Sequence, residues 1–153
     1  MRRVVLALVL VVGAIAGYRY YATAYAPEKF YKEFAEDILH QRYDDAAKKC
    51  DGLTSADLGK LGSQERIGPG PAMFQTLFPS RFRIDSREKT AEGDLTLHAV
   101  QTVLFNPVGV ESAVRPAMYA TLNQVVTLRK VSGGWRVVAF ENTFDKMDQT
   151  SAR

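Results

Sequence analysis

The sequence predicts an α+β fold: an N-terminal transmembrane or signal helix, then a domain of two to three helices packed on an antiparallel sheet of about four strands. Three observations lead there. Residues 4–17 form an unbroken apolar run, residues 30–58 set apolar side chains at helical spacing, and from Arg81 onward the pattern changes to alternation. Helices first and hairpin-linked strands afterwards is the order of a segregated α+β domain rather than of βαβ units.

The apolar run sets the predicted address. Residues 4–21 would rise about 27 Å as a helix, close to the thickness of a hydrocarbon core. Val4, Leu6, Leu8, Leu10, Val12 and Ile15 would meet acyl chains, while Tyr18, Tyr20 and Tyr21 suit the headgroup level. Arg19 can reach water along its own stem. Arg2 and Arg3 lie on the other side, and no acidic residue precedes Glu28. The positive-inside tendency then keeps the amino terminus cytoplasmic, as a single pass in the inner (cytoplasmic) membrane with the domain on the periplasmic, extracytoplasmic side. The competing reading is a cleaved signal peptide with a small-residue site at Ala22-Thr23-Ala24, which leaves a secreted or periplasmic domain. The expected organisation is a signal-anchor or signal peptide over 1–26, one α+β domain over 27–145 and a polar tail over 146–153.

Charge narrows the partners. The chain carries 20 Lys+Arg against 17 Asp+Glu, but Arg2, Arg3 and Arg19 belong to the leading segment and every acid lies after it. The remainder is formally neutral and has no basic stripe, so a nucleic-acid partner is not expected. Cys50 is the one cysteine, so no internal disulfide forms and the fold must rest on its core. Lys48 and Lys49 precede it near the predicted end of a helix, a position that does not activate a thiol. His40 and His98 are the two histidines, and no HExxH or CxxC spacing accompanies them, so no metal or other cofactor is expected. Neither a P-loop nor a G-x-S-x-G elbow is present.

The elements follow in order. Phe30, Phe34 and Ile38, with Tyr31 and Leu39 beside them, form the apolar face of a helix that opens at Pro27-Glu28, with Lys32, Glu33, Glu36 and Asp37 toward water. After a link at 40–42, Asp44 is the expected cap of a second helix ending near Gly52. Thr54 or Ser55 would cap a further short helix. Gly68-Pro69-Gly70-Pro71 breaks the chain, and 72–78 is expected to make one or two helical turns. Phe82 and Ile84 then alternate with Arg83 and Asp85, and a turn falls at Glu92-Gly93-Asp94. Leu95, Leu97, Ala99, Gln101, Val103 and Phe105 share one face of a long strand, with His98 on the other. A third strand over 119–131, a turn at Gly133-Gly134 and a fourth strand over 135–142 complete a meander.

The Tyr43-Asp44-Asp45-Ala46-Ala47 start of the second helix and the closing hairpin Val125 to Val138 around Gly133-Gly134-Trp135 resemble the nuclear transport factor 2-like superfamily, with its SnoaL-like and ketosteroid isomerase-like members. The resemblance covers residues 28–145. It implies a cone-shaped domain, in which helices close one side of a strongly curved sheet around a pocket used as an active site, used as a ligand site or filled with side chains. Fold of this kind leaves function open.

An isomerase or dehydratase of that type needs a carboxylate or histidine aimed into the pocket. Asp51 and Asp57 sit in contexts that suit turns and caps, and the inward polar residues Gln101 and Gln124 do not titrate, so no catalytic residue is assigned. The favoured expectation is a non-catalytic, membrane-tethered accessory or assembly protein that binds another envelope protein through its sheet or its 107–116 loop. The outward residues Val100, Thr121, Asn123, Val125 and Thr127 could instead pair two copies. The alternative is a carrier for a small apolar ligand, in a pocket lined by Tyr31, Leu97, Gln101, Val103, Leu122, Gln124 and Val126, with an isomerase or dehydratase third.

Overall fold

The computed structural model describes residues 2–64, 74–76, 79–107 and 117–149, with side chains described over 9–61, 79–104 and 117–148. The chain divides into two compact units, Met1–Glu33 and Phe34–Arg153.

The first unit holds helix α1 (Arg2–Tyr20), a π-helical stretch over Tyr21–Tyr25 and the first half of helix α2 (Ala26–Leu39). The Thr23 hydroxyl donates to the Arg19 carbonyl at 2.6 Å, the back-bonding geometry that competes with a regular helical ladder. Tyr21 and Tyr25 stack across the same stretch with ring centroids 5.5 Å apart. Lys29–Glu33 is an exposed and Glu28–Lys32 a half-buried i,i+4 ion pair along α2. Val9, Leu10, Val11, Val12 and Ile15 are exposed, as are Tyr18, Tyr20 and Tyr21.

No helix among the described residues is long and apolar enough to cross a membrane. The Val4, Leu6 and Leu8 side chains lie outside the described residues. The expected anchor, with Leu10, Val12, Ile15, Tyr18, Tyr20 and Tyr21 as its core and rim, is therefore corrected. Membrane tethering, the inner-membrane address and the periplasmic placement built on it fall with it.

In the second unit Phe34, Ala35 and Ile38 of α2 are buried, and Phe34 meets Phe140 edge to face at 5.0 Å. α2 ends in a Schellman turn. Gln41 takes a left-handed φ of 58°, its N–H donates to Ile38 O, and the Arg42 N–H donates to Asp37 O. Asp37 was expected to face water but is buried. Its carboxylate accepts from Arg42 Nε at 2.9 Å and from Lys49 Nζ at 2.5 Å, which ties α2 to both ends of helix α3 (Tyr43–Lys48). Asp44 does not cap α3, whose N-cap is Arg42 without a side-chain bond. It sits in the first turn, where the positive helix end favours it. Helix α4 (Ser55–Gln64) has a reciprocal cap: Asp57 N–H donates to Thr54 Oγ1 and Thr54 N–H to Asp57 Oδ2.

Among the described residues five strands form one antiparallel sheet: β1 (Phe74–Thr76), β2 (Arg81–Lys89), β3 (Leu95–Pro107), β4 (Met118–Val131) and β5 (Gly134–Gln149). β1 and β2 share one side of β3, and β4 then β5 follow on the other. The helical turns expected over 72–78 are replaced at 74–76 by strand pairing with Phe105 to Pro107, while the Gly68–Pro71 breaker and the 108–116 loop lie outside the described residues. Turns fall where the glycines are: Gly93 has φ 87° between β2 and β3, and Val131 pairs with Gly134 across a two-residue loop. Asp94, buried at the start of β3, accepts a two-toothed grip from Arg129 of β4 at 2.8–3.2 Å.

The expected cone is also corrected. β5 and β2 do not pair with one another, so the sheet is open rather than closed on itself. Outside β4, the backbone partner of β5 among the described residues is the segment after α3: Asp51 N–H donates to Val137 O, and Val137 N–H to Lys49 O.

Burial pushes the Asp37 carboxyl up, but the hydrogen bonds and charges of Lys49 and Arg42 outweigh it and hold it below the usual range. A depressed folded value contributes stability above the unfolded value of about 4, and loses it as pH falls toward the folded value. Asp37→Asn should therefore cost about 1–3 kcal/mol at neutral pH. The gap from wild type, measured by urea unfolding, should shrink below about pH 4. A gap constant from neutral to acid pH would refute this role.

Candidate binding face

Alternation along β3, β4 and β5 puts one set of side chains against the helices. Leu97, Ala99, Gln101 and Val103 face this way from β3, Ala120, Leu122, Gln124, Val126 and Leu128 from β4, and Val137 and Phe140 from β5. All are at most 4 % exposed, so the two glutamines are as dry as their apolar neighbours. A buried amide without partners costs roughly 1–3 kcal/mol, so its bonds must be found inside.

The bonds run as a chain across the sheet. Gln101 Nε2 donates to the Ser80 hydroxyl at 2.9 Å, Gln124 Nε2 donates to Gln101 Oε1 at 2.8 Å, and Gln124 Nε2 donates again to Asn142 Oδ1 at 2.9 Å. Gln101 stands in register with Leu122 and Gln124 with Ala99, so the two amides meet on the diagonal. Ser80, half-buried just before β2, is fixed by its own N–H, which donates to Glu36 Oε1 of α2 at 3.1 Å. Asn142 is half-buried on β5 opposite Gln124.

Six of the seven expected lining residues are thus brought together: Leu97, Gln101, Val103, Leu122, Gln124 and Val126. Tyr31 is fully buried and its hydroxyl is raised by burial, but it belongs to the first unit. Ser80 and Asn142 are the members that sequence reasoning missed. Ser80 precedes its strand in an irregular segment, and Asn142 faces inward only through a local irregularity of β5.

The candidates for acid–base work stand elsewhere. His98 is half-exposed on the opposite face, 3.9 Å from Glu88. Asp57 is occupied as a cap, and Asp51 is exposed near Arg129. Burial pushes the Cys50 thiol up to about 11, against a smaller lowering by Arg136, and its Sγ lies 3.3 Å from Ala46 O. Among the described residues no group of three or more His, Cys, Asp or Glu side chains could hold a metal ion.

Comparison with protein-family models, with curated proteins and with solved structures returns no match. The resemblance to the nuclear transport factor 2-like superfamily is accordingly corrected to a plain α+β domain with an open antiparallel sheet. The hairpin that carried the resemblance is a structural device common to many folds.

Two expectations follow. Gln124→Leu should strand Gln101 Oε1 and Asn142 and cost about 2 kcal/mol, whereas Gln101→Leu/Gln124→Leu should cost clearly less than the two single changes combined. Additive losses in denaturant unfolding would show that the amides act separately. For Cys50, alkylation by iodoacetamide at neutral pH should be slow in the folded protein and fast in denaturant, and equal rates would refute the protected thiol.

Proposed function

We propose that the Phe34–Arg153 unit is a non-catalytic binding domain for a small, largely apolar molecule carrying one carbonyl or hydroxyl group. The ligand is received against the inner sheet face, where Gln101 and Gln124 orient it. What carries the reading is the chemistry of that face: two fully buried neutral amides inside a lining otherwise made of aliphatic and aromatic side chains. Apolar lining supplies burial energy, and an uncharged amide offers both donor and acceptor without the desolvation cost of an ion. Ser80 and Asn142, half-buried at the two ends of the chain, are where a ligand group can exchange places with a protein partner. A proton-abstracting enzyme draws less support, because the polar groups of this face do not titrate.

The test is displacement of the fluorescent probe N-phenyl-1-naphthylamine from the full chain by an alkyl ketone and by the alkane of equal length. Wild type should prefer the ketone by about tenfold, the equivalent of one net hydrogen bond. Gln101→Leu/Gln124→Leu should bind both alike. Equal displacement by both in wild type, or no saturable probe binding, would sink the proposal.

A further inference from the structure

Among the described residues the sheet has two open edges, and they carry opposite charge. β2 pairs with β3 on one side, and among the described residues nothing pairs on its other side. Its nine residues include Arg81, Arg83, Arg87 and Lys89 against Asp85 and Glu88. At the far side of the sheet, the segment Lys49 to Asp51 covers β5 at Val137, and from Ala139 onward no described residue pairs with its outer side. That stretch holds Glu141, Asp145 and Asp148 against Lys146. Arg83 pairs with Asp85 and Lys146 with Asp148 within their own strands, which cancels one charge of each sign on both edges. By formal charge β2 is basic and the 139–149 stretch acidic, whichever pairs the individual side chains make.

An open edge is a template for a further strand. We propose that the occupant is a second copy of this chain, with the β2 edge of one copy adding to the 139–149 edge of β5 in the next. Three features favour this pairing over others. β2 and β5 run antiparallel to each other within the sheet, so a copy in the same orientation continues an antiparallel ladder with its inner face on the same side. The exposed strands are comparable in length, nine residues of β2 against the 139–149 stretch of β5. On the inner-face parity, exposed Phe144 at the β5 edge comes beside half-buried Phe82 and Ile84 at the β2 edge. Symmetric pairing of β5 with β5, or of β2 with β2, sets like charges together, which is unfavourable. The contact is therefore head to tail. Since in-plane addition does not close, it generates open chains rather than a dimer.

Sedimentation velocity of the full chain at about 0.02 M and about 0.5 M salt, where screening lengths are about 20 Å and about 4 Å, provides the test. The weight-average mass should rise past that of a dimer with concentration at low salt and fall at high salt. Arg81→Glu/Lys89→Glu makes both edges acidic, and Glu141→Lys/Asp145→Lys makes both basic. Each variant alone should associate at least about tenfold more weakly, and an equimolar mixture should recover association. Restoration on mixing reports opposite edges meeting and requires both variants to be folded. A monomer under all conditions, a closed dimer, a mixture no better than its components, or association unchanged in both variants would each overturn the proposal. The last outcome would assign the association to the exposed apolar side chains of α1.

Discussion

Val138 has no counterpart on β4: Leu128 pairs with Val137 and Thr127 with Ala139. That one extra residue decides what the interior contains. If pairing continued one for one from Val131 and Gly134, Gln124 would face Glu141 and Val126 would face Ala139. With the bulge, Gln124 faces Asn142 and Val126 faces Phe140, while Glu141 turns out to solvent. An amide can complete a neutral hydrogen-bond chain in a dry interior. A carboxylate there would have to be paired or protonated. The inner face is apolar and neutral because of this shift, and the Phe34–Phe140 contact that seats α2 on the sheet depends on it as well.

The unit handles its polar groups in two ways. Carboxylates with little exposure, Asp37 and Asp94, sit at corners where a long cation reaches them from a partly exposed position: Arg42 and Lys49 for the first, Arg129 for the second. Each fixes a junction, α2 with α3 and the β2–β3 turn with β4. Amides, which need no counter-ion, occupy the centre. This division matches cost, since the desolvation of an ion grows with depth while an amide asks only for hydrogen-bond partners.

Bulges shape the edges too. Asp85 and Asp145 are each the unmatched residue of a register shift, one on either outer strand. Extra residues of this kind bend a strand and interrupt its outward hydrogen-bond row, one of the devices that restrain indiscriminate edge pairing. Charge then selects among the pairings that remain.

Much of this was legible from residue order. The switch from helical spacing to alternation located α2, β2, β3 and β4, and parity along β3 and β4 put Leu97, Gln101, Val103, Leu122, Gln124 and Val126 on one buried face. Both are local properties, set by the periods of helix and strand. Harder to read were features that depend on partners distant in the chain. Asp37 looked solvent-facing because its helix face is polar, and Arg42 and Lys49 become its partners only when the chain bends at Gln41. Phe74 to Thr76 became strand because β3 offered an edge. Ser80 and Asn142 joined the amide chain through sheet pairing. The apolar run at the amino terminus read as a membrane anchor from composition, but among the described residues no helix meets the length and hydropathy a span requires. By itself the sequence determined which residues alternate and hence which side chains share a face. Tertiary structure alone decided the register that matches one face to the next, because a single unpaired residue costs little locally and inverts every side chain beyond it.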